Sequence, residues 1–176
     1  EVKRMGIDIL FAVDTSRSML TQDVNPDRLT RARLAVADLL AKLEGDRVGL
    51  IAFAGSAFLQ CPLTLDYDAF RQSLDALDPN VIPKGGTDIA SAISEAGAAF
   101  RTGAKNHKLL VLITDGEDLA GNAVSAAQKA AEQEVKIFTV GVGTSSVELI
   151  PVRKEDGGTE FVKDENGQAV KSRLDE

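Results

Sequence analysis

Apolar positions along the chain follow two alternating patterns. Ile7–Val13 (IDILFAV) is a short, mostly apolar run closed by turn chemistry, which predicts a strand covered on both faces. Leu29, Ala32, Val36, Leu39, Leu40 and Leu43 then recur at helical spacing, with Asn25-Pro26-Asp27 as a start signal and Gly45 as a stop. Asp46–Ala54 predicts a second buried strand. Gly55-Ser56 turns the chain into Ala57–Leu63, where Pro62 suits an antiparallel edge strand and not a central one. Phe70, Leu74 and Leu77 mark a short helix, Asp78–Gly86 a loop rich in Pro and Gly, and Ile89, Ile93, Ala96 and Phe100 the next helix. Lys108–Thr114 is a strongly apolar strand. Val124, Ala127 and Ala131 lie on an Ala-rich helix, and Val135–Val142 is a further strand. Strands alternating with helices predict an α/β fold: a mostly parallel, doubly wound sheet with helices on both faces and right-handed crossovers.

After Pro151 the pattern changes. Gly157-Gly158 and Asn166-Gly167 are turn signals, and Phe161-Val162 and Ala169-Val170 flank the second, as in a small exposed hairpin. We read 1–176 as one domain, with its core over about 6–150 and a C-terminal hairpin over 151–176.

Composition narrows the function classes. A hydrophobic share of 44% with 27% charged residues excludes a largely disordered chain. The net charge of −7 argues against a nucleic-acid binder, which needs a basic face to displace phosphate counterions. The single Cys61 forms no internal disulfide and reads as a small buried hydrophobe within the edge strand. The apolar runs are strand-length, too short to span a membrane. The chain starts at Glu1 without an initiator Met and stops in a charged run, which reads as a piece of a longer protein whose flanking segments could enter a membrane.

Ligands in such a sheet collect beyond the carboxyl ends of the strands. The first strand runs into Asp14-Thr15-Ser16-Arg17-Ser18, with oxygen-bearing side chains at i, i+2 and i+4. The Lys108–Thr114 strand runs into Asp115, and Gly85-Gly86-Thr87-Asp88 puts another hydroxyl just before a helix. Carboxylates and hydroxyls without a His or Cys cluster suit a hard cation such as Mg²⁺. Asp88 reads as a helix-start residue, and Glu117 and Asp118 as solvated or supporting loop charges. Gly141-x-Gly143 falls short of a dinucleotide-binding fingerprint. His107 reads as a surface residue entering a strand, with no second His to make a zinc site.

Asp14-x-Ser16-x-Ser18, with Thr87 and Asp115 at later strand and loop ends, resembles the metal-ion-dependent adhesion site of von Willebrand factor A domains. The resemblance runs from about Gly6 to about Gly143. It implies a six-stranded sheet of order 3-2-1-4-5-6 with strand 3 antiparallel. It implies that Ser16 and Ser18 bind Mg²⁺ directly (Mn²⁺ or Ca²⁺ being possible), that Thr87 does so in the high-affinity state, and that Asp14 and Asp115 act through water. It further implies that the vacant coordination position accepts a Glu or Asp carboxylate of a partner protein. Arg47–Gln60, Pro62-Leu63-Thr64 and Asp164–Glu176 resemble the Bat group of bacterial aerotolerance-operon proteins. That resemblance implies a domain lying between helices of the bacterial inner membrane and facing the periplasm. It also implies that the family's final helix begins beyond Glu176.

Two other functions stay open on the residues. Asp14 and Asp115 loosely resemble haloacid-dehalogenase-type phosphatases, a Mg²⁺-dependent phosphoryl-transfer class. Those enzymes need an Asp as general acid two residues after the first, where this chain has Ser16. No nucleophile–base pair is apparent, which predicts a non-enzymatic binding module. The other alternative is a structural subunit whose metal site only steadies its loops.

Overall fold

The computed structural model describes residues 6–101, 106–116, 118 and 120–174. β1 (Ile7–Asp14) is almost wholly buried, and its side chains divide between two cores. Ile9, Phe11 and Val13 enter one, Leu10 and Ala12 the other, as the two-residue period of a strand requires. β2 (Arg47–Phe53) splits in the same way, with Val48, Leu50 and Ala52 on the first face and Ile51 and Phe53 on the second. β3 (Ala57–Thr64) is the antiparallel edge strand, and its register shifts near Cys61 and Pro62. β4 (His107–Thr114) and β5 (Val135–Gly141) complete a sheet of order β3-β2-β1-β4-β5. All its neighbours are parallel except β2 and β3.

α1 (Arg28–Leu40) and α2 (Tyr67–Asp75) cover the first face. The Phe11 and Phe70 rings meet there at 5.7 Å between centroids and 58° between planes, a tilted aromatic pair. α3 (Ile89–Phe100) and α4 (Ala123–Glu132) cover the second face. Carboxylate caps start three of these helices. Asp27 accepts from the Thr30 N–H at 2.7 Å, Asp66 from those of Asp68 and Ala69, and Asp88 from the Ser91 N–H at 2.8 Å.

One expectation needs correcting. The central sheet of the described residues has five strands, not six. β6 (Glu148–Leu149), β7 (Pro151–Arg153), β8 (Thr159–Phe161) and β9 (Lys171–Ser172) instead form two small antiparallel pairs, β6 with β9 and β7 with β8. No strand-length apolar run follows Val142, and Pro151 has no N–H to offer a ladder. The two- and three-residue strands therefore pair among themselves. Around Asn166-Gly167 the chain reverses, with an antiparallel bridge between Lys163 and Ala169. α4 forms where the sequence places an Ala-rich helix, with Val124, Ala127 and Ala131 on it. Its inner side is Ala130, with Ala123, Ala126 and Ala127 partly buried, while Val124 is 74% exposed. Alanines occupy several faces of this helix, so their spacing alone does not select the buried one. Glu117 lies outside the described residues.

β1 continues to β2 on one side of the sheet, while β4 continues to β5 on the other. The carboxyl ends of β1 and β4 are direct neighbours, with Val13 opposite Ile113. In sheets of this kind ligands bind where the strand order reverses, which here is between the carboxyl ends of β1 and β4.

Candidate metal centre

The loop after β1 is built to bring hydroxyls together. Thr15 is tied sideways to β2, its N–H 2.7 Å and its Oγ1 3.2 Å from the Phe53 carbonyl. Met19, fully buried in the first core, anchors the next turn, and Arg17–Leu20 coils as a short 3-10 segment. Burying such a side chain contributes roughly 1.5–3 kcal/mol, enough to hold a polar loop against the sheet. The Ser16 and Ser18 hydroxyl oxygens consequently lie 2.9 Å apart, both buried.

Asp14 is completely buried at the end of β1. Its Oδ1 accepts from the Ser16 N–H at 2.8 Å, and its Oδ2 accepts from Thr114 Oγ1, at the end of β4, at 2.7 Å. Burial and, secondarily, the charge of Asp115 push its pKa up to about 7, against the lowering effect of those hydrogen bonds. Asp115 is also completely buried, and its Oδ1 has no hydrogen-bond partner among the described residues. Thr87 is buried in the loop before α3. That loop is held to the end of β2 by the Asp88 N–H on the Ala54 carbonyl at 2.7 Å and the Gly55 N–H on the Lys84 carbonyl at 3.1 Å. The approach is so close that a Cβ on Gly55 would collide with the Gly85 carbonyl oxygen. Asp14, Ser16 and Ser18 are thus joined by direct contacts and Asp115 is coupled to them by charge. Thr87 stands in the adjoining loop.

Residues not singled out in the sequence complete the centre. Arg28, the first residue of α1, is 0% exposed. Its Nη1 donates to Asp115 Oδ2 at 2.9 Å and to Ser172 Oγ at 2.7 Å. Its Nε and Nη2 donate to the two carboxylate oxygens of Asp23 at 2.9 and 2.8 Å, a forked pair. Asp23 Oδ2 also accepts from the Thr144 N–H at 2.7 Å. Burial alone would raise the Asp23 pKa, but the hydrogen bonds from Arg28 and Thr144 and the Arg28 charge outweigh it and hold the carboxyl low. A faint signal for Arg28 exists in the sequence. A cation in the first turn opposes the helix dipole, and this one follows a helix-start signal directly.

Asp14, Asp115 and Asp23 set against Arg28 leave two negative charges when all are ionised. No group of three or more His, Cys, Asp or Glu among the described residues could hold a metal ion. Any cation here would therefore depend on hydroxyls beside the two carboxylates. An all-oxygen donor set, a buried carboxylate oxygen without a partner and mutual repulsion between Asp14 and Asp115 fit a hard divalent cation. Asp118 is half-buried, and its Oδ1 also lacks a partner among the described residues.

The sequence pattern of the von Willebrand factor type A domain matches residues 9–117. A UPF0353 protein of Mycolicibacterium paratuberculosis is 32% identical over 148 residues, which are 77% of this chain and 44% of that protein. The chain thus spans less than half the length of such relatives. The crystal structure of BatB from Bacteroides thetaiotaomicron superposes with a TM-score of 0.91 at 38% identity, covering 97% of this chain and 82% of that one. An aerotolerance-related membrane protein from Bacteroides fragilis superposes with a TM-score of 0.89 at 37% identity, covering 96% and 82%. The chain belongs to the von Willebrand factor type A domain family and, within it, resembles the bacterial Bat proteins.

Proposed function

We propose that Asp14, Ser16, Ser18, Thr87 and Asp115 hold a Mg²⁺ ion, with Mn²⁺ and Ca²⁺ as possible replacements, and that the centre binds a protein partner through a Glu or Asp carboxylate. The observation that carries this reading is the buried, unpartnered Asp115 Oδ1 beside Asp14 and the paired Ser16 and Ser18 hydroxyls. Domains of this family are commonly metal-dependent interaction modules, which supports it. The bound ion would supply an electrophilic point for an incoming carboxylate. The chain's own part is to hold the donors: Met19 anchors the loop, Thr114 and the Ser16 N–H fix Asp14, and Arg28 fixes Asp115.

Charge at the rim favours an acidic partner. A cleft of about 290 Å³ next to Ser16 is lined by Arg17 and Lys84, both exposed and neither in an ion pair among the described residues. They are cations on a chain of net charge −7. No helix among the described residues is long and apolar enough to cross a membrane. Likeness to membrane-related Bat proteins supports a parent protein anchored in the bacterial inner membrane by other segments, with this domain on the periplasmic side. Phosphoryl transfer is the weaker reading, because Ser16 stands where the general acid would be needed.

Calorimetric titration of Mg²⁺ and Mn²⁺ tests the proposal. Wild type should bind one ion, and Asp14→Ala should lose at least tenfold in affinity while retaining a cooperative melt. Wild type that takes neither ion overturns the metal centre. Loss of fold in Asp14→Ala, with no separable binding defect, favours the stabilising role instead.

A further inference from the structure

Arg28 joins two regions that are far apart in sequence. On one side it holds Asp115 Oδ2, which leaves the buried Oδ1 of the same carboxylate without a hydrogen-bond partner among the described residues. On the other it donates to Ser172 in β9, 144 residues away in sequence. Its third partner, Asp23, is itself gripped by the Thr144 N–H and Oγ1 at 2.7 and 3.1 Å. The Thr144 carbonyl accepts from the Leu174 N–H at 2.8 Å. The C-terminal segment therefore reaches the guanidinium by two routes, one through Ser172 of β9 and one through Leu174 just after it, Thr144 and Asp23.

The surroundings leave the guanidinium little freedom. A Cβ on Gly143, which sits at φ +138°, would lie 2.8 Å from Arg28 Nε. Arg28 and Asp115 are both 0% exposed and Ser172 is 2% exposed. Packing of this density tends to favour discrete arrangements over continuous drift.

We infer that Arg28 is a positioning residue of the metal centre, and that through it the β6–β9 strand pair and the affinity for Mg²⁺ are coupled. When β9 is docked, Ser172 and Asp23 fix the guanidinium, and the guanidinium fixes Asp115 with Oδ1 free to serve the ion. When β9 leaves, Arg28 loses its Ser172 partner, and the Asp115 carboxylate loses its fixed orientation. Linkage makes the effect reciprocal, so Mg²⁺ must stabilise the docked strand by the same factor. This rests on the metal reading above, and the test separates the two.

The experiment is amide hydrogen exchange on the full chain with and without Mg²⁺, paired with calorimetric Mg²⁺ titration of Ser172→Ala. Mg²⁺ should slow exchange at Leu149, Lys171, Ser172 and Leu174. The β7–β8 pair, which has no bond to Arg28, should be unaffected. Ser172→Ala should bind Mg²⁺ at least fivefold more weakly, and Ser172→Thr, which keeps the hydroxyl, should recover part of that loss. If wild type binds Mg²⁺ but β9 exchanges as before and Ser172→Ala titrates like wild type, the coupling is wrong and the metal centre stands. If wild type binds no Mg²⁺, both fall. Should Ser172→Ala not fold, the exchange comparison on wild type decides alone.

Discussion

Asp14 shows how a strand end can be tuned by burial. In the absence of metal its carboxyl holds a proton up to about pH 7, because burial and then the Asp115 charge disfavour the ion. The unfolded chain releases that proton near 3.8. Between these values the native state holds more protons than the unfolded one, so stability must fall as pH rises, levelling off above about 7. At roughly 1.4 kcal/mol per pKa unit the whole fall is about 4 kcal/mol. Urea melts of EDTA-treated protein should therefore show a declining midpoint from pH 5 to pH 8. Asp14→Asn, which removes the titration, should flatten that decline. A wild-type midpoint that rises over this range would contradict the burial argument. Asp23 carries the opposite sign. Its lowered pKa gives stability that is present above 3.8 and lost as pH falls through the native value, so it acts in acid, outside that window.

At the scale of elements, β1 is the piece on which the rest depends. It lies between β2 and β4, feeds both cores and ends at Asp14. Phe11→Ala removes a fully buried ring that packs on Phe70, and should cost about 3–5 kcal/mol in a denaturant melt. A loss below 1 kcal/mol would mean that the first core closes over the gap. The elements legible in the sequence were those whose evidence is local. Ile9–Val13 and Leu109–Ile113 are apolar without interruption because both faces are covered, and Pro62 marked an edge because it lacks a donor. α4 was located but its inner face was not, since alanine is compatible with any face. The small C-terminal strands pair Glu148 with Ser172 across turns that offer no periodicity to read. At the centre, Asp14, Ser16 and Ser18 were legible as one short string. Arg28 was not, because its partners Asp115 and Ser172 lie 87 and 144 residues away and only the fold brings them together.

Over the whole molecule, charge is distributed against its own average. A net charge of −7 repels an acidic protein at long range, yet the cleft beside Ser16 carries Arg17 and Lys84. Such local reversal steers a partner toward one face and acts chiefly on the association rate. Arg17→Glu combined with Lys84→Glu should therefore slow association of a poly-glutamate peptide with the Mg²⁺-loaded domain about tenfold at low salt. The difference should shrink as ionic strength rises and the Debye length falls to about 8 Å near 0.15 M. Mg²⁺ affinity should change far less, because neither side chain is among the buried donors. Surface plasmon resonance across a salt series reads the association rate, and calorimetry reads the metal. An association rate that is the same in both proteins at low salt would remove this cleft from the partner's path. Equal losses in peptide and metal binding would mean that the two cations support the centre itself, because steering alone leaves the ion's affinity nearly untouched.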